Sequence, residues 1–306
     1  MRNDKKHTFH RVKQVLFSIL VGLIVIDIFV LVTQGRNIPV LNPHGLIAEQ
    51  QRNLILLTTG LGLLIIVPVF IMLFSIAWRY RASNTKAKYQ PDFESHRGFE
   101  ALWWGIPCAI IIILGAITVV STHALDPYKP IDSQVTPVNV QVVSLNWKWL
   151  FIYPDQHIAT LNYLNIPKDT PISLTITSDA TMNSFWVPAL AGQVYAMSGM
   201  STQLHLIADG TGNYVGSSAN ISGEGFADMT FKVNSMNETD FASWAKKTAS
   251  TGDSLTSAQY DILSKPSRGD PETAYKLVDT NLYNEIIMKY MAPNAQGSAT
   301  SIGTSH

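Results

Sequence analysis

A glycine-rich loop over residues 218–229 resembles a metal-binding loop but lacks the atoms that would hold a metal. Copper is held in proteins by thiolates, imidazoles and thioethers. Of these groups the loop contains only one, the thioether of Met229. A lone thioether makes no metal site, so we expect Met229 to pack in a core. The sequence therefore predicts a loop that has kept its frame and lost its metal.

Four aromatic residues spaced two apart form a second feature with chemical potential. They are Trp147, Trp149, Phe151 and Tyr153. Alternate residues of a β-strand share one face, so we expect all four on the same side of a sheet. Two interpretations remain open: this face fills the core of a sandwich, or it is an aromatic patch that faces a redox partner.

The composition indicates a membrane protein. Hydrophobic residues make up 46% of the chain and charged residues only 14%, well below the share of about a quarter that is usual in soluble proteins. Basic residues outnumber acidic ones by 12 to 6 over residues 1–122, and acidic residues outnumber basic ones by 16 to 10 thereafter. This distribution argues against a nucleic-acid partner. The single cysteine, Cys108, excludes an intramolecular disulfide and a thiolate cluster.

Two apolar runs, residues 54–77 and 101–120, are long enough to span a bilayer. Together they predict a transmembrane hairpin over residues 42–122. The connecting loop, residues 78–100, carries five Lys and Arg residues. Because basic loops stay on the cytoplasmic side, we expect this loop to be cytoplasmic and both outer flanks to be external.

The N-terminal region, residues 1–35, has a basic start and an apolar run over residues 15–33 that contains Asp27. It is either a third transmembrane helix or a cleaved signal segment. If the helix is retained, Asp27 is expected to face a partner helix or a polar cavity, because an ionisable group is costly in lipid.

The hydrophobic periodicity changes after residue 122. Short alternating runs over residues 123–234 are typical of strands, among them 137–143, 158–166, 172–177 and 229–233. Residues 235–292 show helical spacing, mainly at 240–247 and 273–291, and residues 293–306 have the composition of a disordered tail. The predicted fold class is a membrane-anchored α+β protein: a transmembrane hairpin, a small β-sandwich and a C-terminal helical segment.

The order of these parts resembles subunit II of the haem-copper oxidases over residues 42–291. The shared features are a Trp-x-Trp strand after a two-span hairpin, the segment 178–188, and a glycine-rich loop that ends in Met. The family's external domain is a cupredoxin-like sandwich. In its cytochrome c oxidase members, a His before a Ser-Phe pair and a later CxExCGxxHxxM loop hold a binuclear copper centre.

This chain departs from the copper pattern at five positions. Aligned with that pattern, this sequence has Asn183 in place of the first His and Phe226 in place of the second. Ser218 and Ser222 replace the two Cys, and Asn220 replaces the Glu. Gly223 and Met229 match the pattern. Hydroxyl groups and a phenyl ring cannot replace soft sulfur and imidazole ligands. We therefore expect no metal and no other cofactor in this chain.

In lacking the copper ligands but keeping the scaffold, this chain resembles subunit II of the bo-type ubiquinol oxidases. Residues 84–88, 122–127 and 193–200 are also similar to that branch of the family. The resemblance implies a non-catalytic subunit of a proton-pumping quinol:oxygen oxidoreductase in the aerobic respiratory chain. It also implies that haems and copper lie in a partner subunit I, that the complex binds quinol, and that other oxidase subunits and membrane lipid are neighbours. The location implied is the bacterial inner membrane, with a periplasmic C-terminal domain. Many members are lipoproteins, but here Arg36 stands near the place of the acylated Cys, so lipid attachment is not expected.

Glu100 is the remaining candidate residue. It precedes the second apolar run, on the expected cytoplasmic side. It is either an interfacial carboxylate near Arg97 or, because the resembling family has a Glu at this spacing, the mouth of a proton path into subunit I.

Two rival functions stay open at this point. One is a copper-bearing cytochrome c oxidase subunit II, against which the missing ligands argue. The other is a membrane-anchored cupredoxin-like binding or assembly module with no oxidase role. His157 and His205 lack the spacing of metal ligands and are expected to be structural.

Overall fold

Two long helices carry the apolar runs. The computed structural model describes residues 38–87 and 96–291; the predictions for residues 1–35, Asp27 and residues 293–306 lie outside this range. Helix α1 is Leu46–Arg79 and helix α2 is Arg97–Ala124, with a proline inside each. Both are long and apolar enough to cross a membrane, which confirms that the two apolar runs form long helices.

The start of α1 belongs to the β-rich unit, which comprises Pro43–Arg52 and the chain from His123 onward. The His44 amide donates to the Ala189 carbonyl at 2.8 Å, and the Ala48 amide donates to the Leu190 carbonyl at 3.3 Å. Ala48 is buried. These contacts fix the first turn of the helix on the sandwich before the chain reaches its apolar run.

Two sheets form the sandwich. The strands are β1 Val138–Leu145, β2 Lys148–Tyr153, β3 Ile158–Leu161, β4 Tyr163–Pro167, β5 Ile172–Ser178, β6 Asn183–Trp186, β7 Gln193–Ala196, β8 Thr202–Leu206, β9 Gly212–Ser218, β10 Thr230–Met236, β11 Asp253–Leu255 and β12 Thr273–Leu277. One sheet has seven strands in the order β11-β12-β3-β2-β1-β5-β8, and the other has five in the order β4-β10-β9-β6-β7. Pairing is mostly antiparallel, with parallel pairs at β1–β5, β4–β10 and β11–β12.

Aromatic rings fill the space between the sheets. Phe185 and Phe231 stack with their ring centroids 5.1 Å apart, and the ring of Trp149 meets that of Phe185 edge-on at 5.5 Å. Phe151 and Tyr153 lie in the same core cluster. Three of the four alternating aromatic residues therefore face the core. The prediction is wrong for Trp147, which lies in the β1–β2 turn with φ of 65° and not in the strand.

A second core lies on the opposite face of β2. Leu150 and Ile152 pack there with residues from the C-terminal segment, including Tyr260 and Tyr283. Each residue of β2 is buried because the strand has a core on both sides. This second core is built by helices α4 Ser257–Leu263 and α5 Leu282–Met291 together with strands β11 and β12. Helix α3, Glu238–Thr251, packs into the first core through Phe241 and Ala245.

Two segments differ from the predicted secondary structure. Residues 273–291 are not one helix, because Thr273–Leu277 forms β12 and pairs antiparallel with β3, and α5 begins only at Leu282. Residues 158–166 are not one strand, because Asn162 adopts φ of 60° and sends β3 and β4 into different sheets. Asparagine tolerates this left-handed conformation better than most residues.

Gly216 in β9 is required by the aromatic core. A Cβ atom at this position would lie 2.1 Å from Cζ of Phe231, whose ring is held by Phe185. We expect Gly216→Ala to lower the free energy of unfolding by about 1–3 kcal/mol, because the core must shift to relieve the overlap. Thermal unfolding measures the change. Gly210→Ala is the matched control, since no atom lies within 4 Å of its added Cβ; an equal loss in both variants would contradict the explanation.

Candidate functional site

The loop with the degenerate ligand positions joins β9 to β10 and is closed at its base. The Ser218 amide donates to the Met229 carbonyl at 3.1 Å. Inside the loop, the amides of Phe226 and Asp228 donate to the carbonyls of Gly223 and Gly225. A short 3-10 helix, Phe226–Asp228, follows. The backbone therefore forms a compact turn that is held by its own hydrogen bonds.

Asn183 and Ser218 meet in a buried polar cluster. The Ser218 hydroxyl donates to Asn183 Oδ1 at 2.8 Å, and Asn183 Nδ2 donates to the Ser144 hydroxyl and to the Thr181 carbonyl, both at 2.9 Å. Asn183 is 1% exposed and Ser218 is 6% exposed. The amide and the hydroxyl thus satisfy each other, so burial does not leave either of them without a partner.

The side chains at the other four degenerate positions lie in different surroundings. The Asn220 carbonyl lies 3.2 Å from the Ser218 hydroxyl. The Ser222 hydroxyl is buried with no hydrogen-bond partner among the described residues. Phe226 is half-buried, and Met229 is 1% exposed and packs in the aromatic core. The structure brings Asn183 and Ser218 together, and it places Met229 in the core.

Trp147 belongs to this loop. Its indole Nε1 donates to the Ser222 carbonyl at 3.1 Å. Its ring lies so close to Gly225 that an added Cβ would come within 2.4 Å of it. The left-handed turn at Trp147 turns this side chain out of the strand pattern and over the loop. The spacing of the aromatic residues gave no sign of this contact.

Asp179 is a buried carboxylate that the sequence reading missed. It accepts hydrogen bonds from the Tyr260 hydroxyl at 2.7 Å, the Tyr290 hydroxyl at 2.6 Å and Lys289 Nζ at 2.8 Å. Its side chain has no exposed surface, whereas that of Lys289 is 58% exposed. These donors come from α4 and α5. The Asp179 carboxylate therefore links both helices to the loop between β5 and β6.

A second set of contacts ties the segment after α4 to the degenerate loop. Arg268 Nε lies 3.2 Å from Asp228 Oδ2, and its NH2 group donates to the Glu224 carbonyl at 2.8 Å. Lys148, only 2% exposed, pairs with Asp270 at 3.3 Å and bonds to the Ser267 hydroxyl. The C-terminal segment therefore contacts both the degenerate loop and the strand that follows Trp147.

The tyrosines around Asp179 predict a loss of stability at alkaline pH. Burial, together with the hydrogen bond to Asp179, raises the pKa of Tyr290 to about 12 and also raises the pKa of Tyr260. The folded state keeps these protons where the unfolded chain loses them, at the ordinary value of 10.0. We expect full stability below pH 10 and a decline as the pH rises towards 12. Unfolding temperatures across this range test the decline; Tyr290→Phe should make it shallower, whereas Tyr128→Phe, at an exposed tyrosine, should not.

Glu100 lies in the first turn of α2 and is exposed. Its Oε1 accepts a hydrogen bond from the amide of His96, the residue directly before the helix, at 3.2 Å. This contact stabilises the start of the helix in the manner of a capping interaction. Glu100 therefore has a local structural role. The change Glu100→Ala would remove this hydrogen bond together with the ionisable group.

Metal-ligating side chains do not cluster in the part of the chain that the structure describes. Over residues 38–87 and 96–291, no three His, Cys, Asp or Glu side chains approach closely enough to share an ion. At the degenerate positions, the available side-chain groups are two amides, two hydroxyls, a phenyl ring and one thioether. These donors do not fit a copper centre.

Family models match two parts of the chain. The model "Cytochrome C oxidase subunit II, periplasmic domain" matches residues 154–236, and the model "COX Aromatic Rich Motif" matches residues 249–294. The second match covers α4, β12 and α5, which supply Tyr260, Tyr283 and Tyr290 to the contacts described above.

Curated relatives match over most of their length. The chain is 47% identical to "Cytochrome bo(3) ubiquinol oxidase subunit 2" of Pseudomonas putida over 264 residues, which is 86% of this chain and 84% of that protein. It is 41% identical to "Quinol oxidase subunit 2" of Bacillus subtilis (strain 168) over 263 residues, with 84% and 82% coverage. The crystal structure of the periplasmic domain of subunit II of a Bradyrhizobium japonicum cytochrome oxidase aligns at a TM-score of 0.37 and 18% identity, covering 39% of this chain and 96% of that one.

Proposed function

Because the chain belongs to the subunit II family of the quinol oxidases, we propose that it is a non-catalytic subunit of a proton-pumping quinol:oxygen oxidoreductase in a bacterial inner membrane. Subunit I of the complex holds the haems and the copper and receives electrons from quinol. The chain supports subunit I on its external face and assists assembly with the other subunits. It carries no redox centre of its own.

The observation that carries this proposal is the pairing of Asn183 with Ser218. Two of the positions that the copper pattern assigns to ligands are joined by a hydrogen bond of 2.8 Å inside a buried cluster. A copper ion between them would have to displace this bond and would gain only hydroxyl and amide oxygen donors, which are poor copper ligands. With no copper relay in the external domain, electrons have to enter the complex within the membrane, where quinol resides.

The proposed topology places the sandwich in the periplasm. Arg79 and Arg81 lie at the end of α1, and Arg97 begins α2. Basic residues at helix ends favour the cytoplasmic side. The opposite ends of both helices adjoin the β-rich unit along the chain. Labelling of single cysteines introduced at Arg81 and at Asp155 in intact cells, in a chain that carries Cys108→Ser, would test this assignment.

Purification through a C-terminal tag tests the function. Detergent-solubilised complex is assayed for haem, for copper and for oxygen uptake with quinol or with reduced cytochrome c. We expect haem to copurify, oxygen uptake with quinol alone, and no copper on this chain once subunit I has been removed. Copper that stays with this chain, together with cytochrome c activity, would indicate a cytochrome c oxidase subunit. A preparation without haem would indicate an anchored binding or assembly module.

We propose that Glu100 assists proton uptake from the cytoplasm. Glu100→Gln is the informative variant, because a glutamine oxygen can still accept the hydrogen bond from the His96 amide while the ionisable group is lost. We expect turnover with quinol and proton pumping to fall severalfold with the complex intact. Glu49→Gln is a control at an exposed carboxylate in the first turn of α1. Unchanged turnover and pumping in Glu100→Gln would leave Glu100 with its capping role alone.

A further inference from the structure

A polar cavity of 370 Å³ lies in the β-rich unit beside the start of α1. Its walls come from the first two turns of α1, from the segment after α2, from the β6–β7 turn and from the edge strand β8. The polar side chains that line it are Gln50, Gln51, Asp126, Lys129, Asp132, Gln193 and His205. None of these residues takes part in the site described above.

One residue that lines this cavity, His205, has a polar side-chain atom without a partner in the described part of the chain. Nε2 of His205 is buried and makes no hydrogen bond among the described residues. Desolvation lowers the pKa of His205, so the imidazole stays neutral near pH 7 and Nε2 can donate a proton to an acceptor or accept one. A buried polar atom without a partner costs free energy, which a bound ligand would recover.

The position of the cavity along the chain gives its depth relative to a bilayer. Gln51 precedes the apolar run that starts at residue 54 by three residues, or about 4.5 Å of helix. Ala124, on the opposite wall, follows the end of the second run at residue 120 by about 6 Å. The headgroup layer on each side of a bilayer is about 5–7 Å thick. Gln51 and Ala124, the lining residues nearest to the apolar runs, therefore lie at headgroup depth in the proposed topology.

The charges around the cavity match a ligand that carries both signs. Lys129 is a cation, and Asp126 and Asp132 are carboxylates. A ligand with a phosphate alone would meet two carboxylates against one lysine. A zwitterionic ligand would place its phosphate towards Lys129 and His205 and its ammonium group towards the carboxylates. Leu46 and Ile47 form the apolar part of the wall that is farther from the apolar run along α1.

We propose that this cavity binds the headgroup of a zwitterionic phospholipid with a primary ammonium group, in the external leaflet. Lys129 and His205 hold the phosphate, and Asp132 holds the ammonium group. The volume lies within the range of sites that bury small ligands. The bound lipid would fix the first turn of α1 against the sandwich at the membrane surface. The inference rests on the proposed topology, which the cysteine labelling tests separately.

The test uses the purified oxidase complex after removal of loosely bound lipid by detergent. Phosphatidylethanolamine, phosphatidylglycerol or inorganic phosphate is added back, and bound lipid is counted by native mass spectrometry. We expect selective retention of phosphatidylethanolamine. Lys129→Gln should lower this retention about two- to fivefold, as expected for one exposed charged contact. Asp132→Asn should reduce the preference for phosphatidylethanolamine over phosphatidylglycerol.

Lys247→Gln, at an exposed lysine of α3 outside the cavity, is the matched control and should retain lipid as the unaltered complex does. Subunit I binds lipid as well, so only the difference between variants is read. Equal retention of both lipids by the unaltered complex, or retention unaffected by Lys129→Gln and Asp132→Asn, would overturn the proposal. If inorganic phosphate alone stabilises the complex against heat as well as the lipid does, the cavity is an anion site and not a headgroup site.

Discussion

Replacing Asp179 by alanine is expected to release the C-terminal segment from the sandwich and to lower the free energy of unfolding by about 2–4 kcal/mol, because a buried hydroxyl loses its acceptor and further hydrogen bonds to a charged group are lost. The change leaves the buried Tyr260 hydroxyl without its acceptor and deprives Tyr290 and Lys289 of theirs. Lys289 is mostly exposed, so its screened ion pair contributes only about 1 kcal/mol or less of this loss. The larger part comes from Tyr260, which is buried, whereas Tyr290 is exposed enough for its hydroxyl to bond to water instead.

Thermal unfolding and limited proteolysis of the tagged protein measure this loss, and early cleavage between α4 and α5 is the expected sign. Asp261→Ala removes an exposed carboxylate from the neighbouring helix and serves as the matched control. Asp179→Asn, which keeps one acceptor oxygen, should lie between the two. If Asp179→Ala and Asp261→Ala unfold alike, Asp179 does not hold the C-terminal segment.

Restoring the copper ligands is expected to create a copper centre in this chain. The required changes are Asn183→His, Ser218→Cys, Asn220→Glu, Ser222→Cys and Phe226→His, with Met229 already present. The β9 and β10 strands that frame the loop are paired, and the loop is closed by the Ser218–Met229 backbone bond. Thiolates and imidazoles in place of hydroxyl and amide groups convert a poor donor set into a strong one.

The substituted protein should be less stable than the natural chain without copper, because the Asn183 contacts to Ser144 and Ser218 are lost. Copper should then raise its unfolding temperature, since metal that binds only the folded state stabilises that state. Visible absorption and electron paramagnetic resonance report the thiolate-bound copper. A four-change variant that keeps Ser222 is the control. Failure of the five-change protein to hold copper through gel filtration would mean that the loop frame itself has changed.

Local sequence patterns were sufficient to predict the two apolar helices and most of the strands. The apolar runs 54–77 and 101–120 are recognised by their length and lack of charge, and the alternation in β10 and at the starts of β1 and β5 reflects one buried face. The spacing of Trp149, Phe151 and Tyr153 predicts their shared face correctly. Each of these features depends only on the sequence of the ten or twenty residues that form it.

The features that were predicted wrongly or missed depend on contacts between residues that are far apart in the sequence. Residues 273–277 have helical spacing, but Tyr275 pairs with Ala159 in β3 and becomes part of the sheet. The partners of Asp179 lie 81, 110 and 111 residues away in the chain. Trp147 leaves the strand because of a left-handed turn that non-glycine residues rarely adopt. No local pattern carries this information.

The strand β12 determines when folding can be completed. It closes the sheet against β3, and its outer neighbour β11 and helix α5 come equally late in the chain. Until these residues have emerged, the faces of Leu150 and Ile152 have no cover. Chains with such long-range pairing fold slowly, and their uncovered strands aggregate readily. In the proposed topology, we therefore expect this domain to need protection from aggregation until β12 and α5 have crossed the membrane.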